Sequence, residues 1–433
     1  MRMPLLLVLP APPLPLDQGY RHAAFNDLVQ FARLRELHVL ILTEYVYDFH
    51  PSQAELSRQV SLSLPGVKSV NFVPVLPDWK CPFRKRLRYY LSAFLRKGRV
   101  FEEINTERLA ENMLELCNKY RCKEVHFGIT HSIFVDVFFE LRKMRRDILL
   151  SFTAHDIEAE AEKLSRVKRS VARGLYLEAL YNWVEYRIYL WKETRACRLS
   201  RFVVCMAHAD YGWLERKGVK AYFIPPFLQS VKPNHEVKPL PQQPVLAVLG
   251  HLAFSAAGGG VELFMEEVVP EVKKKVPNAV IKIIGKDANP KVLSLCEQWG
   301  IQLQEYVEDL EELWREITVL ASPLLVAKGI RIRVLEAVQR GIPVVCTREA
   351  ATGFEHPEGF LLVASNFEMF AEYCVELLRD PEAYRRQQER LGSYYERHLR
   401  EDIIRQKWGA LFNPKEIVQH ANVKLMQTES LLA

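Results

Sequence analysis

Short apolar runs alternate with amphipathic stretches along most of this chain. Leucine and valine fill residues 5–9, and β-branched or aliphatic residues fill 38–45, 70–75, 124–129 and 148–153. Such runs are the signature of strands buried on both faces of a parallel sheet. Between them lie segments with helical spacing, so the order strand–helix–strand predicts a doubly wound α/β fold. A long helical region is expected over 169–198, followed by a strand in RFVVCMAHAD, with Asp210 opening the next helix. The alternation resumes after a stretch rich in proline and polar residues, 230–244, which reads as an interdomain linker. Strands are expected at 245–249, 279–285, 317–320 and from Pro343, with helices after Asn366.

One later stretch, ASPLLVAKGIRIRVLEAVQRGIPVVCTREAATGF over 321–354, combines these signals most densely. Lys328 and Gly329 form a turn, and Ile330, Val334, Leu335 and Val338 recur at helical spacing over 330–340. Gly341 ends the helix, where positive φ is needed. The loop between strand and helix therefore faces a helix N-terminus, whose free N–H groups attract phosphate-like anions. Length and composition add three bounds. A chain of 433 residues predicts two or three domains. No apolar run reaches the ~18 residues of a membrane span, and the N-terminal apolar run is too short, and too closely followed by prolines, for a signal peptide. The eight cysteines are scattered without a C-x-x-C pair, so reduced thiols in the cytoplasm are expected.

GIRIRVLEAVQRGIPVVCT followed by AATGF resembles the donor-site signature of retaining glycosyltransferases of family four. The resemblance implies a GT-B fold, two Rossmann-like domains facing across a cleft, and transfer of a sugar from a nucleotide diphosphate sugar to a glycan or lipid-linked acceptor. It implies an N-terminal acceptor domain over 1–229, a linker over 230–244 and a nucleotide-sugar domain over 245–395. A C-terminal helical segment, 396–433, is then expected to cross back to the first domain, and its end past Asn413 turns polar. In the donor domain the resemblance assigns the diphosphate to the backbone at Gly329, Ile330 and Arg331, and the ribose hydroxyls to Glu336. Gly250 and Gly285 end strands beside the nucleotide, and Tyr306 and Val307 line the base side. In the acceptor domain it points to Gly19 at a loop-to-helix transition and to His131 at a strand end. It also points to the segment AHDIEAE, similar to the family's HD-x-E, with His155, Asp156 and Glu158. His131, His155 and Asp156 are the candidates beside the reacting sugar, and none is singled out as a base. For Gly19 a plain turn, for His131 packing or helix capping, and for Asp156 or Glu158 capping of the following helix are alternatives. His126, inside its strand, reads as a core histidine.

The chain departs from the family pattern in two places. The first Glu of the Glu-x7-Glu motif is replaced by Lys328, and the glycine-rich segment HLAFSAAGGGV lacks the usual Arg and Lys. Lys328, Arg331 and Arg333 offer compensating positive charge around the diphosphate. No Asp-x-Asp pair occurs, so no metal cofactor is expected. A rival reading is a non-catalytic GT-B module serving as a scaffold in a polysaccharide-synthesis complex. An epimerase or phosphorylase on the same fold lacks its signature here. Residues 80–99 form the most basic stretch, with Leu87, Tyr90, Leu91, Phe94 and Leu95 on one helical face. They suggest peripheral contact with an anionic membrane at its inner face, the alternative being a domain helix packed inward. Nucleic acid is not an expected partner.

Overall fold

The computed structural model describes residues 3–16, 19–43, 51–74, 106–129, 132–250, 252, 259–307, 309–326 and 328–412. The chain divides into two compact units. One comprises Met1–Cys205 with Trp213–Tyr222, and the other Met206–Gly212 with Phe223–Ala433.

The first unit is built on a seven-stranded sheet. Its strands are β1 (Pro4–Leu9), β2 (Glu36–Thr43), β3 (Val67–Pro74), β4 (Glu124–Phe127), β5 (Leu149–Ala154), β6 (Val203–Cys205) and β7 (Ala221–Phe223), in the order β3-β2-β1-β4-β5-β6-β7. The pairs from β3 through β6 run parallel. Apolar side chains bury both faces, as the continuous runs in β1 and β2 require: Leu5 to Leu9 and Val39 to Leu42 are almost wholly inaccessible. His126 is a core histidine of β4, fully buried. The helical region after β5 is divided. A π-helical turn, Ala159–Lys163, runs into a helix over Leu164–Ala172, and a second helix spans Tyr176–Leu199. Gly174, at φ +70°, makes the break, so the single helix expected from residue 169 is in fact a hairpin.

The second unit carries β8 (Val245–Leu249), β9 (Val280–Ile284), β10 (Leu303–Gln304), β11 (Val319–Ser322), β12 (Val344–Thr347) and β13 (Leu362–Ala364) in the order β10-β9-β8-β11-β12-β13. All five neighbouring pairs are parallel. Counted within the unit this is the order 3-2-1-4-5-6, the Rossmann-like arrangement, and its direction reverses between β8 and β11. The core joins Leu246 and Val248 of β8, Ile283 of β9 and Val319 of β11 to Phe264, Phe370 and Leu377 from the covering helices.

The segment between β7 and β8, from Leu228 into the proline-rich stretch, is docked on this unit by two buried glutamines. The Gln339 carboxamide oxygen accepts from the Leu228 N–H at 2.9 Å, and the Gln388 side chain bonds both the N–H and the carbonyl of Lys238 at 3.0 and 2.9 Å. The last described helix, Glu401–Phe412, groups with the same unit and buries Trp408.

Candidate functional site

In open parallel α/β sheets the crevice for ligands lies beyond the carboxyl ends of the strands, where the strand order reverses. In the second unit that point is the gap between the ends of β8 and β11, and the structure brings several glycines to it. Gly250 and Gly285 follow β8 and β9 directly, at φ +153° and +155°. The Gly250 N–H donates to Ile284, and a Cβ on Gly285 would stand 1.7 Å from the Gly250 carbonyl oxygen. Only glycine permits that approach of two neighbouring strand ends. Gly260, closing the glycine-rich segment, lies as tightly against the Pro323 carbonyl just past β11, with 1.8 Å from a hypothetical Cβ.

From Pro323 the chain runs through the exposed Lys328 to Gly329, which takes φ +66°. Ile330 is buried, and Arg331 is extended at φ −85° and ψ 108°. The helix then covers Ile332–Gln339, two residues later than the apolar spacing indicated. Packing explains the shift: Ile330 sits against Gly353, where a Cβ would come within 2.6 Å of the Ile330 Cα, so Ile330 anchors the loop and is not part of the helix. Arg331, at the N-cap, makes no side-chain capping bond to the N-terminus of the helix. Glu336 lies one turn inside, buried, and its Oε2 accepts a hydrogen bond of 2.6 Å from Arg333 Nη1. The carboxylate is thus oriented by a partly exposed guanidinium on the preceding turn.

Three further candidates occupy the same rim or its edge. Tyr306 is exposed and Val307 half-buried beyond β10. Lys286, immediately after Gly285, places its ammonium 5.8 Å from the centre of the Tyr306 ring. The family pattern does not single out Lys286; its position directly after a strand-ending glycine is the available signal in the sequence. Asp309 caps the next helix by accepting from the N–H groups of Glu311 and Glu312. The loop after β12 is fixed from another part of the chain: the His208 and Ala209 N–H groups donate to the carbonyls of Gly353 and Thr352 at 3.0 and 3.2 Å. Those carbonyls satisfy the start of helix His208–Arg216, which therefore begins two residues ahead of Asp210.

In the first unit, Gly19 begins helix Gly19–Leu34, while His131 and the basic stretch 80–99 lie outside the described residues. His155 and Asp156 follow β5 at its carboxyl end, half-buried. Burial pushes the His155 pKa down to about 4 against an opposing hydrogen bond to the Gly128 backbone, so its ring is neutral at physiological pH. Its Nε2 has no hydrogen-bond partner among the described residues. Glu158 does not cap the following turn. That task falls to Glu193, on helix Tyr176–Leu199, whose two carboxylate oxygens accept from the Glu158 and Ala159 N–H groups at 3.1 Å each. Glu158 instead accepts from the Tyr189 hydroxyl at 2.7 Å, with the Lys163 ammonium 3.7 Å away. Burial holds the Glu193 pKa well above the ordinary carboxylate range.

Residues 243–380 match the family model described as glycosyl transferases group 1. No curated protein matches the chain. Among solved structures, Anabaena Alr3699/HepE in complex with UDP is similar over 95% of this chain and 100% of its own, at 11% identity and a TM-score of 0.63. A mutant of Staphylococcus aureus TarM, in complex with fondaparinux, alpha-GlcNAc-glycerol and UDP, shares 11% identity at a TM-score of 0.62, covering 95% and 100% of the two chains. A glycosyltransferase from Rickettsia africae shares 12% identity at a TM-score of 0.59, covering 94% and 96%. The chain thus has the GT-B fold of two Rossmann-like domains, and the second of them carries the sequence pattern of group 1 glycosyl transferases.

Proposed function

We propose that this protein is a retaining glycosyltransferase of family four. It moves a sugar from a nucleotide diphosphate sugar to a glycan or lipid-linked acceptor in surface-polysaccharide or glycolipid synthesis, in the cytoplasm. The observation that carries this reading is the rim of the second unit. There Gly329, Ile330 and Arg331 lead into the N-terminus of helix Ile332–Gln339, and Arg333 orients the buried carboxylate of Glu336, all inside the span that matches the family.

The chemistry follows from where charge develops. Breaking the bond between sugar and diphosphate leaves negative charge on the leaving phosphate oxygens. Donors fixed in advance at that position lower the barrier without reorganising. The N–H groups opening helix Ile332–Gln339 and the cations Lys328, Arg331 and Arg333 fill this role, so no metal ion is required. Glu336 accepts hydrogen bonds from the ribose hydroxyls, and Tyr306 and Val307 flank the base, with Gly250 and Gly285 leaving room for the nucleotide. On the acceptor side the neutral His155 serves as a hydrogen-bonding group to the sugar, together with His131, Asp156 and Gly19. Retention needs no protein nucleophile when the leaving phosphate itself takes the proton of the incoming hydroxyl on the same face.

The alternative is a non-catalytic scaffold, favoured by Lys328 standing where the family has Glu and by the absence of Arg and Lys from the glycine-rich segment. Calorimetric titration of the full chain with UDP, GDP, dTDP and ADP separates the two. UDP is the first choice because it is bound in the Anabaena Alr3699/HepE and Staphylococcus aureus TarM structures. One nucleotide binding at micromolar affinity, weakened about tenfold to a hundredfold by Glu336→Ala, supports the transferase. Binding of none of the four points to the scaffold.

A further inference from the structure

We infer that the helical hairpin over residues 164–199 of the first unit is a docking surface for an anionic lipid bilayer. The hairpin makes polar contacts between its arms, while an apolar stripe on its longer arm stands exposed. Its two arms are held together by hydrogen bonds. Ser170 Oγ donates to Glu178 at 2.8 Å, Asn182 Nδ2 donates to Ser170 Oγ at 2.9 Å, and the Tyr186 hydroxyl donates to Glu160 at 2.9 Å. The outer face of the longer arm carries Leu177, Leu180, Val184, Ile188 and Trp191, spaced three and four residues apart as one helical stripe, and all are exposed.

Two features select a bilayer over a protein groove or a second copy of the chain. At the tip, Leu175, Tyr176 and Leu177 are 45%, 72% and 87% exposed. Successive helical residues point about 100° apart, so a groove fitted to one face leaves part of this tip in water, whereas a bilayer surrounds it. The second feature is charge. Residues 164–199 hold eight Lys and Arg against three Glu, a net +5. Two copies meeting through this face would repel, while anionic headgroups complement it. Trp183 and Trp191 fit the same boundary, each with an arginine over its ring: Arg187 at 6.0 Å and Arg195 at 5.0 Å. Trp183 lies six residues, about 9 Å, along the helix from Leu177. With the stripe lying along the surface, both indoles stand at headgroup level, as interfacial aromatics do. The tip thus dips into the bilayer and the stripe rests on it.

This inference does not depend on glycosyl transfer, since lipid binding requires no donor. The full chain is sedimented with vesicles of phosphatidylcholine alone and with about 30% phosphatidylglycerol added. Binding is expected only to the anionic vesicles, weakening as salt rises, with a blue shift of tryptophan emission. The double variant Leu177→Glu/Leu180→Glu alters only exposed positions, so its thermal unfolding should match wild type, while its partitioning falls at least about tenfold. Leu293→Glu, an exposed position on the second unit, should bind as wild type does. Failure of wild type to bind, or undiminished binding by the double variant, would overturn the assignment. So would a wild-type dimer that the double variant converts to monomer.

Discussion

The carboxyl rims of the two sheets solve different problems. In the second unit the rim is made of backbone. Gly250, Gly285 and Gly329 strip away side chains, a helix opens without a cap from its N-cap side chain, and the buried carboxylate of Glu336 is bonded by a neighbour three residues away. In the first unit the region behind the rim is made of buried side chains that hold one another across long stretches of sequence. Glu193 ties down the turn at Glu158, thirty-five positions earlier. His126 sits between the hydroxyls of Ser151 and Thr153, each at 2.8 Å, and Thr153 in turn bonds the buried Asp27. One rim is kept clear of side chains by local geometry. The other is rigid through non-local polar contacts, each of which is costly to leave unmade.

The largest effect expected from breaking this contrast is at Gly285. Gly285→Ala introduces a Cβ 1.7 Å from a backbone oxygen at a φ of +155°, so both strain and overlap oppose it. A loss of about 3 kcal/mol or more is expected in urea unfolding. A mild effect would mean that the two strand ends can part freely and that the rim is not fixed by backbone. Next is Glu193→Ala, which leaves two buried N–H groups and the Tyr189–Glu158 pair without their organiser. About 2–3 kcal/mol should be lost, again by urea unfolding. An effect near zero would show that the non-local network does not stiffen the first unit.

A smaller effect, of opposite sign, is expected at Asp27. Burial raises its pKa to about 8, so the folded state keeps the carboxyl protonated where the unfolded chain ionises it. The stability it supports is complete below its ordinary value of 3.8 and is lost as pH rises through about 8. Asp27→Asn fixes the neutral form. Relative to wild type it should gain about 1–3 kcal/mol between pH 5 and pH 6 in urea unfolding, and no gain would remove the assignment of a neutral carboxyl. His126 works the other way. Its pKa is lowered to about 3, so stability present above 6.5 is lost as pH falls toward that value.

These residues also mark the limit of what the sequence disclosed. The strands were legible because buried parallel strands are written as unbroken apolar runs. The loop and helix from Lys328 to Glu336 were legible because their parts are contiguous and Gly329 serves a local need. Gly174 as a helix break, Ile330 as a loop anchor and Glu193 as a cap were not. Each is decided by a partner elsewhere in the chain or by a turn inside a periodic pattern, and periodicity carries no information about either. The apolar stripe of the hairpin at 164–199 shows the same limit from the other side. Its spacing reads as an ordinary packed face, and only the fold reveals that its side chains stand exposed.

Lys286 tests the local character of the second unit's rim at its finest grain. The glycine-rich segment lacks the cations that the family pattern places there, yet Lys286 leaves the end of β9 one residue after Gly285, with its ammonium near the Tyr306 ring. On the proposed reading it supplies part of the missing positive charge from the neighbouring strand. The side chain is exposed, so screening limits its worth to about 0.5–1 kcal/mol. Lys286→Ala should therefore weaken nucleoside diphosphate binding only about twofold to fivefold by calorimetry, with a shallower salt dependence and unchanged unfolding. The matching nucleoside without its phosphates separates the two contacts available to this lysine. If nucleoside affinity falls by the same factor, the lysine acts through Tyr306 on the base. If only the diphosphate suffers, the charge acts on the phosphates, and the rim has drawn its compensation from a strand end instead of from the glycine-rich loop.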